Sequence, residues 1–129
     1  DKARPGSRIA DIKVPGEIYT WKKEKTADIS LSRLKGNTNI IIFYTEGCEK
    51  CKAEKQAARE VLAQANTADK AVAKSARKIK VLMVNVDRIM AGRPDLAARL
   101  FDCFDLSTLP FIITTDRKGI IQHRYYSLL

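Results

Sequence analysis

Two cysteines separated by two residues, Cys48-Glu49-Lys50-Cys51, have the types and spacing to carry out a reaction. Thiols so spaced can close a disulfide, open it, and pass an electron pair to another dithiol. Just upstream, Ile40 to Tyr44 are β-branched or aromatic with no polar alternation, which predicts a strand buried on both faces. From Glu49 on, Ala53, Ala57, Val61, Leu62 and Ala65 recur at helical spacing, with Lys52, Lys55, Gln56, Arg59 and Glu60 between them. Strand and helix together put Cys48 at a helix N-terminus. There the helix dipole and free backbone N–H groups stabilise an anion, and a thiol pKa can fall from about 8.5 into the range of roughly 3.5 to 7.5. Cys51, one turn further in, faces the same side. The pattern predicts Cys48 as the attacking nucleophile and Cys51 as the resolving thiol. Lys50 favours the Cys48 thiolate, and Glu49 opposes it while suiting the helix N-terminus, so their balance stays open at this level.

The remaining metal-binding and titrating groups offer less. Cys103, in Leu-Phe-Asp-Cys-Phe, has apolar neighbours and reads as a buried structural thiol rather than a third redox partner. Cys48, Cys51, Cys103 and His123 could be a Cys₃His zinc set, but structural zinc sites usually bring a second closely spaced ligand pair, which is missing here. No metal and no cofactor is expected. His123 lies in an alternating strand pattern and reads as a surface residue. Haem attachment would need a histidine directly after the second cysteine, where this chain has Lys52.

A chain of 129 residues that is 45% hydrophobic and 30% charged fits one globular domain with a single core. Much of the net charge of +9 lies in Lys70, Lys74, Arg77, Lys78 and Lys80. Such a cluster is either a patch for an acidic partner or nucleic acid, or a solvated helix face. No aromatic residue interleaves it, which favours the solvated face and no nucleic-acid partner. No stretch approaches the ~18 to 20 apolar residues of a membrane span. The opening Asp-Lys-Ala-Arg-Pro-Gly is neither a signal peptide nor an initiator Met, so an anchor already removed stays open.

The elements that must position the cysteines follow in order. Residues 1–8 read as a flexible lead. Ile9 to Val14, a turn at Pro15-Gly16, and Glu17 to Trp21 read as two short strands, with Lys22 to Lys25 the next turn. Leu31 and Leu34 are expected to pack on the sheet before the central strand. Asn66-Thr-Ala-Asp reads as a helix stop and N-cap, followed by a second helix over Ala68 to Arg77. Val81 to Val86, ending at Asp87, predicts a parallel strand that completes a right-handed βαβ unit. Gly92-Arg-Pro-Asp starts a helix whose apolar positions are Leu96, Leu100 and Phe101. Strands Phe111 to Thr115 and Ile120 to Tyr126, around Asp116-Arg-Lys-Gly, predict an antiparallel hairpin.

This order, with the cysteine pair after the first core strand and Leu109-Pro110 before the hairpin, resembles the thioredoxin fold. Gly6-Ser-Arg-Ile-Ala-Asp-Ile and Leu31-Ser-Arg-Leu-Lys-Gly are similar to the G-x-x-A-P-D-F and L-S-x-L-K-G-K blocks of TlpA/ResA-type thiol-disulfide oxidoreductases. The long segment between Cys51 and Val81 also fits that family's extended crossover. The resemblance implies an α/β thioredoxin-like fold, a central mixed sheet flanked by helices, in a single domain over residues 1–129. Residues 1–36 would be a lead and N-terminal β-hairpin extension, and 37–129 the thioredoxin core. It also implies a cis Leu109–Pro110 bond, with Leu109, Gly47, Glu49 and Lys50 contacting the substrate. The activity implied is disulfide exchange with partner protein thiols and disulfides, as a reductant outside the bacterial cytoplasmic membrane, together with an upstream electron donor or acceptor. The other reading keeps the scaffold as a non-catalytic binding domain with an inert Cys48–Cys51 disulfide.

The sequence departs from the family at several points. Gly47 replaces the usual Trp before the first cysteine, and Glu49-Lys50 replaces Gly-Pro. Ile42 stands where thioredoxin carries a buried acid. A final helix is not expected, since the sequence ends at Leu129.

Overall fold

The computed structural model describes residues 3–126. Six strands form one sheet in the order β2-β1-β4-β3-β5-β6. They are β1 (Lys13–Tyr19), β2 (Glu24–Ser30), β3 (Thr38–Tyr44), β4 (Ile79–Asn85), β5 (Phe111–Asp116) and β6 (Ile121–Tyr126). The helices are α1 (Glu49–Ala63), α2 (Lys70–Ala76), α3 (Val86–Gly92) and α4 (Pro94–Cys103). β3 runs parallel to β4 on one side and antiparallel to β5 on the other, so the sheet is mixed.

Period-2 alternation sorts the central strands between two apolar layers. Ile41, Phe43, Leu82, Val84, Phe111 and Ile113 face one side, where they meet Leu31, Leu34, Ile89 of α3, and Leu96, Ala97 and Leu100 of α4. Ile42, Val81, Met83 and Ile112 face the other, where Ala58 and Leu62 of α1 cover them. Helices on both faces explain why Ile40 to Tyr44 lacks polar alternation. Phe43, Phe104, Phe111 and Tyr126 form an aromatic chain with ring centroids 5.2 to 6.5 Å apart along the first layer.

Several local expectations are corrected. Residues 3–9 are tied to the β5–β6 hairpin: Gly6 N–H donates to Ile121 O at 2.7 Å and Ile9 N–H to Gly119 O at 2.9 Å. The part of the expected flexible lead at residues 1–2, and any structure at 127–129, lie outside the described residues. The N-terminal hairpin turns at Thr20 to Lys23, where Thr20 N–H donates to Lys23 O at 2.9 Å, and Pro15-Gly16 lies inside β1. Of β1, only Glu17 to Tyr19 pair with β4, so the missing N–H of Pro15 faces no β4 partner. A Cβ on Gly16 would stand 2.6 Å from Leu82 Cδ1, so glycine there admits a core leucine rather than marking a turn.

The helix faces also differ in part. α1 buries Cys51, Ala58 and Leu62, while Ala53 and Val61 are exposed. In α4, Leu96 and Leu100 are buried but Phe101 is 44% exposed, because Ala97 takes the remaining inward position. α3 has no counterpart in the sequence reading. It starts at the end of β4, where the Asn85 carboxamide oxygen accepts Arg88 N–H at 3.1 Å as an N-cap.

The polar exception in β3 is Asn39, which is fully buried. Its side-chain N–H groups donate to Gly36 O and Asp116 O, each at 3.1 Å, and to Thr115 Oγ1 at 3.3 Å; its oxygen accepts Gly36 N–H at 2.9 Å. One side chain thereby ties the loop entering β3 to the end of β5. Asn39→Ala strands several buried polar groups and is expected to lower unfolding stability by about 2 to 3 kcal/mol. Denaturant melts check this, and a loss near the ~0.5 kcal/mol of ordinary surface changes would contradict it.

Asp105 secures the loop before Pro110, accepting Tyr126 O–H at 2.8 Å and Ser107 Oγ–H at 2.6 Å. The bonds from Ser107, then from Tyr126, lower its pKa from 3.8. A depressed folded pKa contributes stability above the unfolded value that is lost as pH falls through the folded one. Thermal midpoints should therefore fall below pH 4 by a smaller amount in Asp105→Asn than in the parent chain. Equal acid-side slopes would exclude this contribution.

Candidate redox site

β3 ends at Tyr44 and α1 begins at Glu49, so Thr45 to Cys48 must reverse the chain within a short turn. Gly47 makes this possible at φ +76°, a left-handed conformation open to glycine. A Cβ there would meet nothing within 4 Å, so backbone conformation is what asks for glycine. Glu46 completes the turn: its N–H donates to Asp87 Oδ2 at 3.3 Å, and its carboxylate accepts Asn85 Nδ2–H at 3.1 Å. Arg88 lies 3.6 Å from the same carboxylate. The start of α3 thus braces the turn that carries the cysteines.

Cys48 is the N-cap of α1, and its sulfur accepts Cys51 N–H at 3.1 Å. Its carbonyl accepts Lys52 N–H at 3.1 Å, the first bond of the helix. Cys48 and Cys51 are joined by a disulfide with Cα atoms 5.2 Å apart, well within the span a disulfide bridges. Cys51 is 3% exposed and Cys48 is half-buried, so Cys48 is the more accessible of the two. An N–H aimed at a sulfur on a helix N-terminus stabilises that sulfur more as a thiolate than as a thiol.

A cavity of about 210 Å³ lies beside the pair. Gly47, Cys48 and Cys51 line it together with Lys52 and Lys55, which sequence reasoning assigned only to the polar side of the helix. The signal was present in the spacing: Lys52 follows Cys48, and Lys55 follows Cys51, at i+4. Lys55 Nζ stands 5.6 Å from the Tyr19 ring centroid. Glu49 pairs with Lys52 at 3.2 Å, with both side chains largely exposed, and so adds little net field at Cys48. Lys50 is exposed. Neither Glu49 nor Lys50 lines the cavity, and neither Leu109 nor Pro110 does.

The Leu109–Pro110 peptide bond is cis. Pro110 is buried, and Leu109 is half-buried against the α4-side layer. Among the described residues the Leu109 backbone makes no hydrogen bond. Ile42 is buried in the apolar layer under α1. Tyr44 lines the cavity, and its phenol pKa is raised by burial first and by the Glu17 charge second, with Arg88 and Asn85 opposing. Cys103 is half-buried and His123 exposed. Among the described residues no group of three or more His, Cys, Asp or Glu is arranged to hold a metal ion. No described helix is long and apolar enough to cross a membrane.

No protein-family model matches the chain. No curated protein matches it either. Solved structures do. The C-terminal domain of an uncharacterised Bacteroides fragilis protein aligns at 14% identity and a TM-score of 0.57, over 99% of this chain and 94% of that one. The thioredoxin domain of a Bacteroides vulgatus thiol-disulfide oxidoreductase aligns at 17% identity and 0.52, over 96% and 89%. A Chlorobium tepidum protein assigned as the thiol:disulfide interchange protein DsbE aligns at 19% identity and 0.53, over 98% and 87%. At such identities the likeness concerns fold, and together with the mixed sheet and the strand-turn-helix that presents Cys48 and Cys51 it shows that this chain has the α/β thioredoxin-like fold.

Proposed function

We propose that the chain is a thiol-disulfide oxidoreductase that exchanges disulfides with partner proteins through Cys48 and Cys51. The observation that carries this reading is the cap itself: a reachable sulfur at the N-terminus of α1, already bonded to a buried sulfur one turn inside. In the reduced form, the Cys48 thiolate attacks one sulfur of a partner disulfide. A mixed disulfide forms and the other partner sulfur leaves as a thiolate. Cys51, as a thiolate, then attacks Cys48 Sγ and releases the second partner thiol. The partner gains an electron pair, and the Cys48–Cys51 disulfide is restored.

An extended partner segment would pair with the unbonded backbone of Leu109, while Gly47, Glu49 and Lys50 flank the attacking sulfur. Pro110 holds the end of that loop in the core. The resemblance to the TlpA/ResA-type family, carried by residues 6–12 and 31–36, supports work as a reductant in the bacterial cell envelope. In that role an upstream donor must return electrons to the pair after each cycle. The same resemblance supports a single domain over residues 1–129.

Removing the resolving thiol tests the scheme. Cys51→Ser, expressed in the native compartment and run on non-reducing gels, should accumulate reductant-sensitive adducts. Cys48→Ser should trap about tenfold less, because the buried thiol lacks the helix-end stabilisation of its thiolate. Cys103→Ser should leave the pattern unchanged. No adducts from Cys51→Ser, with Cys48 shown by alkylation to be accessible, would instead indicate an inert disulfide in a binding domain.

A further inference from the structure

The cysteines lie at the edge of the sheet where the parallel strands β3 and β4 end. The opposite edge, one strand length or roughly 20 Å away, holds a separate cavity of about 420 Å³. β1 and β5 run antiparallel to their neighbours, so the residues following them reach the same edge as those that precede β3 and β4. Segments far apart in sequence are thereby brought together.

The lining includes Lys22, Lys35, Arg77, Lys78, Lys80 and Arg117, and no acidic residue. Among the described residues none of these six forms an ion pair. Nearby carboxylates are engaged elsewhere. Glu24 pairs with Arg59 at 3.2 Å, and Asp116 accepts the N–H groups of Lys118 at 2.8 Å and Ile120 at 3.0 Å.

Trp21, the chain's single tryptophan, lines the same cavity. The Arg77 guanidinium carbon is 4.6 Å from its ring centroid, and Lys22 Nζ is 5.0 Å away. Arg77 also donates from Nη2 to Ala65 O at 3.3 Å. Cation–π contact and a backbone acceptor thus hold part of the positive charge in position before any ligand arrives. The basic cluster lacks aromatic neighbours in sequence and gains one in space.

Uncompensated like charges around a concavity create a field that gathers multivalent anions. A phosphate group concentrates about 1.5 to 2 negative charges and three acceptor oxygens, suited to arginine's fork and lysine's point charge alike. A carboxylate side chain brings a single charge on a longer tether. We propose that this cavity binds a multivalent phosphate group, carried by a soluble polyphosphate or phosphate ester or by an anionic lipid headgroup.

Trp21 reports on the site directly. Titrating the full chain with inorganic tripolyphosphate should change its emission saturably, with one-to-one stoichiometry by calorimetry. Lys35→Gln/Lys78→Gln removes two exposed cations of the cavity and should weaken binding at least tenfold; Arg117→Gln should weaken it as well. Lys13→Gln/Arg99→Gln, an equal charge change at exposed positions outside the cavity, should leave it unaltered. A second arm uses phosphatidylcholine vesicles with and without phosphatidylglycerol. Cosedimentation with the anionic vesicles, lost in Lys35→Gln/Lys78→Gln and displaced by tripolyphosphate, identifies a headgroup source, whereas tripolyphosphate binding alone identifies a soluble one. Absence of saturable binding in both arms, or equal losses from the cavity and control variants, overturns the proposal.

Discussion

The structure depends on one juxtaposition: the Cys48 sulfur stands at the positive end of α1 and accepts the Cys51 N–H at 3.1 Å. A helix end can stabilise an anion only if the sulfur is held against it, because the effect fades within the first turn. Holding it is the task of β3, a strand covered by apolar layers on both faces and paired on both edges. Gly47 converts the strand's direction into the helix's, and Glu46 is pinned to the start of α3 by Asp87, Asn85 and Arg88. Strand, glycine and the start of α3 together hold that turn.

Ile42 lies in the core layer under α1, and the groups placed beside Cys48 are the N-terminus of α1 and, along the cavity, Lys52 and Lys55. Lys52 is partly neutralised by Glu49, and Lys55 lies against Tyr19, so both are directed rather than loose charges. The two edges of the sheet consequently differ in kind. One presents sulfur beside a small, largely apolar cavity, and the other presents a concentration of unpaired positive charge around Trp21.

Much of this was legible in the sequence because it is periodic or local. The unbroken apolar run Ile40 to Tyr44, the helical spacing after Glu49, and the Asp116–Gly119 turn each predict their element from neighbouring residues alone. What escaped is nonlocal. Asn39 lies just before the apolar run that starts at Ile40, and its bonds to Thr115 and Asp116 depend on β5 lying beside it. Pro15-Gly16 has turn chemistry, but β4 stops short of Pro15 and Leu82 needs the space at Gly16. α3 is too short to show periodicity, and its cap, Asn85, looks like the end of a strand. Val61 and Phe101 fit the apolar pattern of their helices, yet smaller alanines fill the inward positions. Trp21 and Arg77 are distant in sequence, and only the antiparallel β1–β4 pairing joins them.

The proposed exchange requires Cys48 to be the acidic, reachable thiol of the pair. Its most direct measurement is the rate of alkylation of the reduced protein against pH, with each cysteine followed separately by mass. Cys48 should react first, with a midpoint well below the ~8.5 of a free thiol, while Cys51 stays slow. A Cys48 midpoint near 8.5, or faster modification of Cys51, would contradict it.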